Sequence, residues 1–110
     1  MLPLSSAAFY ILLALADGER HGYSISKEVA AHTGGAVKLG PGTLYRVIKQ
    51  MLADGWIAEV HGAPGDDDER RRNYKLTPWG RKIAEAEAQR LADLVFVARA
   101  RRLLPAKAPA

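Results

Sequence analysis

Apolar residues crowd the start of the chain, where residues 5–16 read "SSAAFYILLALA" with hardly a polar side chain after the two serines. A serine cap candidate, Ser5 or Ser6, precedes the run and Asp17-Gly18 follows it, which predicts a first helix. A helix with no polar face needs cover on both sides, more than one small domain supplies, so the pattern points to a second chain. Residues 24–33, "SISKEVAAHT", predict a short second helix with Ile25 and Val29 on one face and a stop at Gly34-Gly35. Residues 39–57 read "LGPGTLYRVIKQMLADGWI". There Leu44, Val47, Ile48, Met51 and Leu52 recur at i, i+3, i+4, i+7 and i+8, a single apolar stripe at helical period that Gly55 ends. At 100° per residue the opposite face holds Gly42, Tyr45, Arg46, Lys49, Gln50 and Ala53.

Beyond Gly55 the period changes to two. The segments "WIAEVHG" (56–62) and "RRNYKLT" (71–77) predict two strands joined through "GAPGDDDE" (62–69), a hairpin with a polar loop. Thr77-Pro78 then supplies a cap and a first-turn proline for a helix expected to run to about Leu104, where Pro105 stops it. At ~1.5 Å per residue that helix is roughly 40 Å long, against a radius of gyration of ~13 Å for a domain of this size, so much of it must project. Its first apolar strip is Ile83, Ala84, Leu91, Leu94, Val95 and Ala98, interrupted by Glu87. A weaker strip is Ala88, Ala92, Phe96 and Leu103, bordered by Arg99. Two partly apolar faces on a projecting helix predict that one packs at home and the other on a partner; the alternative is a helix that breaks and folds back. The final "PAKAPA" reads as a disordered tail.

Composition narrows the class. A chain of 110 residues allows one domain with a modest core, and 48% hydrophobic with 25% charged residues is ordinary for a folded protein. No run of 18 apolar residues exists, and the N-terminus lacks a basic start with a cleavage site, so a cytoplasmic protein with no membrane segment is expected. The absence of cysteine removes disulfides and thiolate chemistry. His21, His32 and His61 fall on three different segments and match no ligand spacing. Neither a glycine-framed nucleophile nor a phosphate loop is present, so the reading is no enzyme, no metal and no cofactor. The net charge of +4 is unevenly spread: residues 1–65 carry five basic and five acidic side chains, residues 66–110 eleven and seven. Four of those seven acids are the "DDDE" at 66–69, beside "RRR" at 70–72.

Three helices, a two-stranded hairpin and a further helix, in that order, predict a mainly α fold with a small β-hairpin: a winged helix-turn-helix with its third helix in the recognition position. Domains are expected at 1–77 (DNA binding), 78–104 (dimerisation helix) and 105–110 (tail). A recognition helix presents its N-terminal part to base edges in the major groove. Pro41 and Gly42 are rigid or small there, Thr43 can bond base or phosphate, Tyr45 can stack or reach a phosphate, and Arg46 and Lys49 suit guanine or the backbone. Lys38, Arg70, Arg71, Arg72 and Lys75 are candidates to neutralise phosphate along the adjacent groove. The plainer reading of Arg46 and Lys49 is a solubilising face, and the acidic run 66–69 opposes a phosphate-facing wing. Agreement between helix and hairpin favours DNA.

At these residues the chain resembles the PadR-like transcriptional regulators. The resemblance rests on "ILLALADGERHGYSI" (11–25), on "LGPGTLYRVIKQMLADGWI" (39–57) and on "RRNYKLTPWGRK" (71–82), and covers about residues 8–95. Gly42, Thr43, Leu44 and Tyr45 match the signature that opens the family's recognition helix, and His21, Gly22 and Tyr23 match its turn before the second helix, read as structural. The resemblance implies a homodimer of winged helix-turn-helix subunits, joined through the last helix against the partner's first, acting mostly as a repressor on an inverted-repeat operator. The single C-terminal helix is similar to the small subclass. The acidic loop and Trp79 depart from the pattern; Trp79 is read as packing. Phe9, Tyr10, Leu13, Leu91, Leu94, Val95 and Phe96 are the candidate interface. The resemblance also implies that some small members admit flat aromatic or cationic drugs between subunits, so Phe9, Tyr10 and Phe96 are candidates to line such a space, with ordinary dimer core the favoured reading. The expected function is a dimeric, sequence-specific repressor on double-stranded DNA. Its rival is a dimeric protein-interaction module with only non-specific DNA binding, and RNA binding is disfavoured by the lack of clustered exposed aromatics.

Overall fold

The computed structural model describes residues 3–60 and 72–105. Helix α1 spans Ser6–Ala14, and its cap is Ser5, whose hydroxyl oxygen accepts from the Ala8 N–H at 3.2 Å. Strand β1 is only Arg20–His21 and was not foreseen. Two residues are too short to show a period, and their partners are distant in sequence: Arg20 pairs with Tyr74 and His21 with Asn73. The expected hairpin is therefore part of a three-stranded antiparallel sheet in the order β1-β3-β2, with β2 at Ile57–Val60 and β3 at Asn73–Leu76. Helix α2 covers Gly22–His32, beginning two residues before the expected start because His21 is already its extended N-cap.

Helix α3 covers Pro41–Ala53, with Gly40 as cap and the proline in its first turn. It ends as predicted. Gly55 has φ +75°, its N–H donates to the Leu52 carbonyl and the Trp56 N–H to that of Met51, the paired bonds of a Schellman stop. The apolar stripe faces inward: Leu44, Ile48 and Met51 are buried against Ile11, Leu12 and Leu15 of the α1 region, Ile25 and Val29 of α2, and Ile57 and Tyr74 of the sheet.

Helix α4 covers Pro78–Ala100, one turn shorter than expected. Arg102 takes a left-handed φ of +62°, its N–H donates to the Arg99 carbonyl and the Leu103 N–H to that of Ala98, so a Schellman turn closes the helix before Pro105 is reached. The helix is unbroken, and it separates along its length rather than by face. Ile83, Ala84 and Leu91 are buried or half-buried, whereas Leu94, Val95, Phe96 and Val97 are all exposed, Phe96 at 74%. At ~100° per residue those four consecutive side chains surround the helix. The molecule measures 55 × 27 × 25 Å.

The base of α4 is fixed to the end of α3. Thr77 caps the helix by accepting from the Gly80 N–H at 2.9 Å, donates its hydroxyl to the Gly55 carbonyl at 2.6 Å, and its own N–H donates to the Trp56 carbonyl. Gly80 lies so close that a Cβ there would come within 1.8 Å of the Trp56 carbonyl oxygen. With Gly80 taking the inward position, Trp79 turns outward and is 49% exposed, which corrects its reading as a packing residue. Glu87, taken as an interruption of an apolar strip, is 2% exposed and holds two parts of the chain together. Its carboxylate accepts from the Leu4 N–H at 3.0 Å and from Arg90 at 3.1 Å. The Arg90 hydrogen bonds hold the Glu87 carboxyl below the usual carboxylate range, outweighing burial, and the Arg90 guanidinium is raised in turn. The expected disordered tail falls, from Ala106 onward, outside the described residues.

Candidate nucleic-acid interface

Because the α3 stripe is spent on the core, its remaining positions emerge on the opposite side: Pro41, Gly42, Thr43, Arg46 and Lys49 are exposed. Tyr45 differs from the expected outward face. It is half-buried, and its ring packs over Gly22, where a Cβ would lie 2.6 Å from the phenol oxygen. Helix α3 therefore seats on the first turn of α2 through a tyrosine ring that would have to shift if position 22 carried a Cβ.

Between α3 and the strands lies a cleft of about 530 Å³, bordered by Tyr45, Arg46, Lys49, Glu59, Arg72 and Tyr74. Arg46 and Lys49 of the helix thus meet Arg72 at the start of β3, the convergence expected of helix and wing. Glu59 of β2 was not anticipated. Its carboxylate pairs with the Arg72 guanidinium at 3.3 Å, leaving one acid among three cations. Its position opposite Tyr74 follows from pairing that the sequence pattern does not specify. Lys75 is not brought to this cleft. Alternation along β3 turns it elsewhere, to a cavity shared with Asp17, Glu19 and Arg81. Lys38 is exposed in the connection between α2 and α3. Arg70, Arg71, His61 and the acidic run 66–69 lie outside the described residues.

The candidate interface residues are dispersed. Phe9 and Tyr10 are half-buried on α1, Leu13 is exposed, Leu91 is half-buried, and Leu94, Val95 and Phe96 are exposed. Phe9 and Leu13 open with Ala84 and Ala88 onto a cavity of about 140 Å³; Tyr10 and Phe96 do not border it. Phe9 thus shares this cavity with neither Tyr10 nor Phe96. Among the described residues no cluster of three or more His, Asp or Glu side chains could hold a metal ion, and no helix is long and apolar enough to cross a membrane.

A helix-turn-helix whose second helix is bare and cationic, flanked by a paired-strand wing, defines a winged-helix DNA-binding fold. Residues 11–86 match the family model described as the transcriptional regulator PadR-like family. The chain belongs to that family, which is one of regulators and not of enzymes. It is 30% identical over 90 residues to the transcriptional regulator Rv3488 of Mycobacterium tuberculosis, spanning 82% of this chain and 79% of that protein. It is 36% identical over 90 residues to a 37.1 kDa protein of a Streptomyces fradiae transposon, of whose length the match covers only 24%. Among solved structures, a PadR family regulator from Clostridium difficile superposes with a TM-score of 0.71 at 23% identity, covering 86% of this chain and 96% of that one. Bacillus subtilis PadR, solved in complex with operator DNA, superposes with a TM-score of 0.64 at 22% identity over 74% of this chain and 46% of its own.

Proposed function

We propose that this protein is a dimeric, sequence-specific repressor that binds an inverted-repeat operator with α3 in the major groove. The observation that carries the reading is the bare face of α3, where Thr43, Arg46 and Lys49 stand beside Arg72 across one cleft. Arg46 suits bidentate recognition of guanine, and Lys49 and Arg72 suit phosphate. Lys38, with Arg70 and Arg71, belongs to the wider electrostatic footprint, whereas Lys75, turned toward Asp17 and Glu19, is left out of it. The fold shared with Bacillus subtilis PadR, which was solved on operator DNA, supports the docking mode.

Residues 1–77 form the reading head in this proposal and α4 joins two copies, its bare Leu94–Val97 turn packing on the partner copy together with Phe9 and Leu13. Two recognition helices then fall about one DNA turn apart, ~34 Å. A small flat aromatic effector lodged among these apolar side chains of two copies would compete with the dimer packing and relieve repression. Selection of bound duplexes from a random library at near-physiological salt tests the whole reading. An inverted repeat with half-sites about one turn apart is the expected product, and Arg46→Ala should relax its base preference by about 1–3 kcal/mol. Retention that vanishes with rising salt and leaves no motif would replace this reading with a protein-interaction module.

A further inference from the structure

Tyr23 belongs to the His21-Gly22-Tyr23 turn that the sequence presents as purely structural. Gly22 is structural, since it admits the Tyr45 ring. Tyr23 is not: it is 61% exposed, an aromatic ring in solvent between the buried Gly22 and Ile25. The Lys27 ammonium stands 4.8 Å above the centre of that ring, one helical turn along, so the aromatic face holds a cation in a restricted position. The nearest acid on the helix does not compete for it. Glu28 faces the other way and is tied to Arg20 at 3.2 Å and to His32 at 3.3 Å.

Tyr23 also shares a cavity of about 230 Å³ with Ser26, Leu39, Pro41, Leu44 and Tyr45. That cavity marks the junction between the first turn of α2 and the N-terminal end of α3. Tyr45 borders both this cavity and the cleft that contains Arg72. Tyr23, with Lys27 over its ring, therefore lies beside the N-terminal end of α3, at a cavity that Arg72 does not border. A phenol O–H donor and a seated ammonium, with no carboxylate between them, suit a phosphodiester oxygen.

We propose that Tyr23 and Lys27 are a backbone-phosphate clamp, gripping the DNA strand next to the N-terminal end of the recognition helix. The inference rests on the DNA-reading function proposed above and adds a second grip to the one at Arg72. It is tested in the full-length chain by fluorescence anisotropy on the selected operator duplex and on a random duplex of equal length. Lys27→Ala should weaken both duplexes alike and reduce the slope of log affinity against log salt by about 0.9, measured between about 50 and 200 mM salt. Tyr23→Phe keeps the ring beneath Lys27 and removes only the hydroxyl; it should weaken both duplexes about 3-fold with the slope unchanged. Both side chains are exposed, so both variants should melt as the parent does. Wild-type affinity and slope in both variants, while Arg46→Ala loses base preference, would overturn the clamp and leave the DNA reading intact. A loss confined to the operator duplex would make the pair a base reader instead and also overturn it. No preference in the parent chain and no response to Arg46→Ala would overturn clamp and reading together.

Discussion

Two glycines set how the elements of the winged helix meet at the scale of single atoms. A methyl group at Gly80 would collide with a backbone carbonyl, that of Trp56, which is itself held by the Thr77 N–H. Neither side can yield without moving an element, so Gly80→Ala is expected to destabilise the fold by about 2–4 kcal/mol, read as a lower urea midpoint with the slope retained. Gly22 meets the far end of a side chain instead, and a methyl there displaces the Tyr45 ring rather than the backbone. Gly22 could be read in the sequence, and so could the Gly-Thr-Leu-Tyr signature, whereas Gly80 was not singled out, because its need comes from the Trp56 carbonyl that only the fold brings near. That Gly22 and Tyr45 touch could not, because they lie on different helices and no local pattern encodes that meeting. Glu59 was missed for the same reason: its significance comes from standing across from Arg72, a neighbour only after β2 and β3 pair.

The elements themselves were largely legible. Cap residues, glycine stops and the 3.6-residue stripe of α3 located the helices to within a turn, because each is a local signal. Strand β1 was not, since its two residues acquire their structure only from β3. In α4 the apolar positions were seen, but the division between packed and bare segments depends on where the rest of the domain ends, which a helical wheel does not show. Glu87 illustrates this. On a wheel it is a flaw in a strip, whereas in the fold it joins α4 to the N-terminal segment through the Leu4 N–H. Its carboxyl is held below the ordinary range chiefly by Arg90, so the ionised form favours the folded state. That contribution is fully present above the usual carboxylate range and is lost as pH falls through the lowered value in the native protein. Melting temperature is therefore expected to fall on acidification, and Glu87→Gln should melt lower at neutral pH while losing this part of the acid response. Parallel melting curves of parent and variant from pH 7 down to about pH 3 check it, and an unchanged acid response in the variant would place the effect elsewhere.

As a whole molecule the chain is a small head from which the last turns of α4 project bare. Exposed apolar side chains on every side of one helical turn are a liability in an isolated monomer. In the proposed dimer they are covered, and the cover depends on Phe96 most visibly because it is the barest of the four. Phe96→Glu is expected to shift sedimentation from dimer to monomer and to lower operator affinity by at least about tenfold, while leaving the head folded, since the side chain makes no part of its core. A dimer that persists unchanged would move the interface off this turn. The helix also converts angle into distance. Helix α4 is anchored over its first half, by Gly80 and Thr77 to the very residues that terminate α3 and by Glu87 to the N-terminal segment. Its 23 residues reach ~34 Å, so a tilt of about 10° at that anchor carries the far end ~6 Å, nearly two base-pair steps. In the proposed dimer the junction at residues 55–56 and 77–80 would thereby set a ruler: whatever loosens it changes which half-site separations the two copies can span, without touching Arg46 or Lys49.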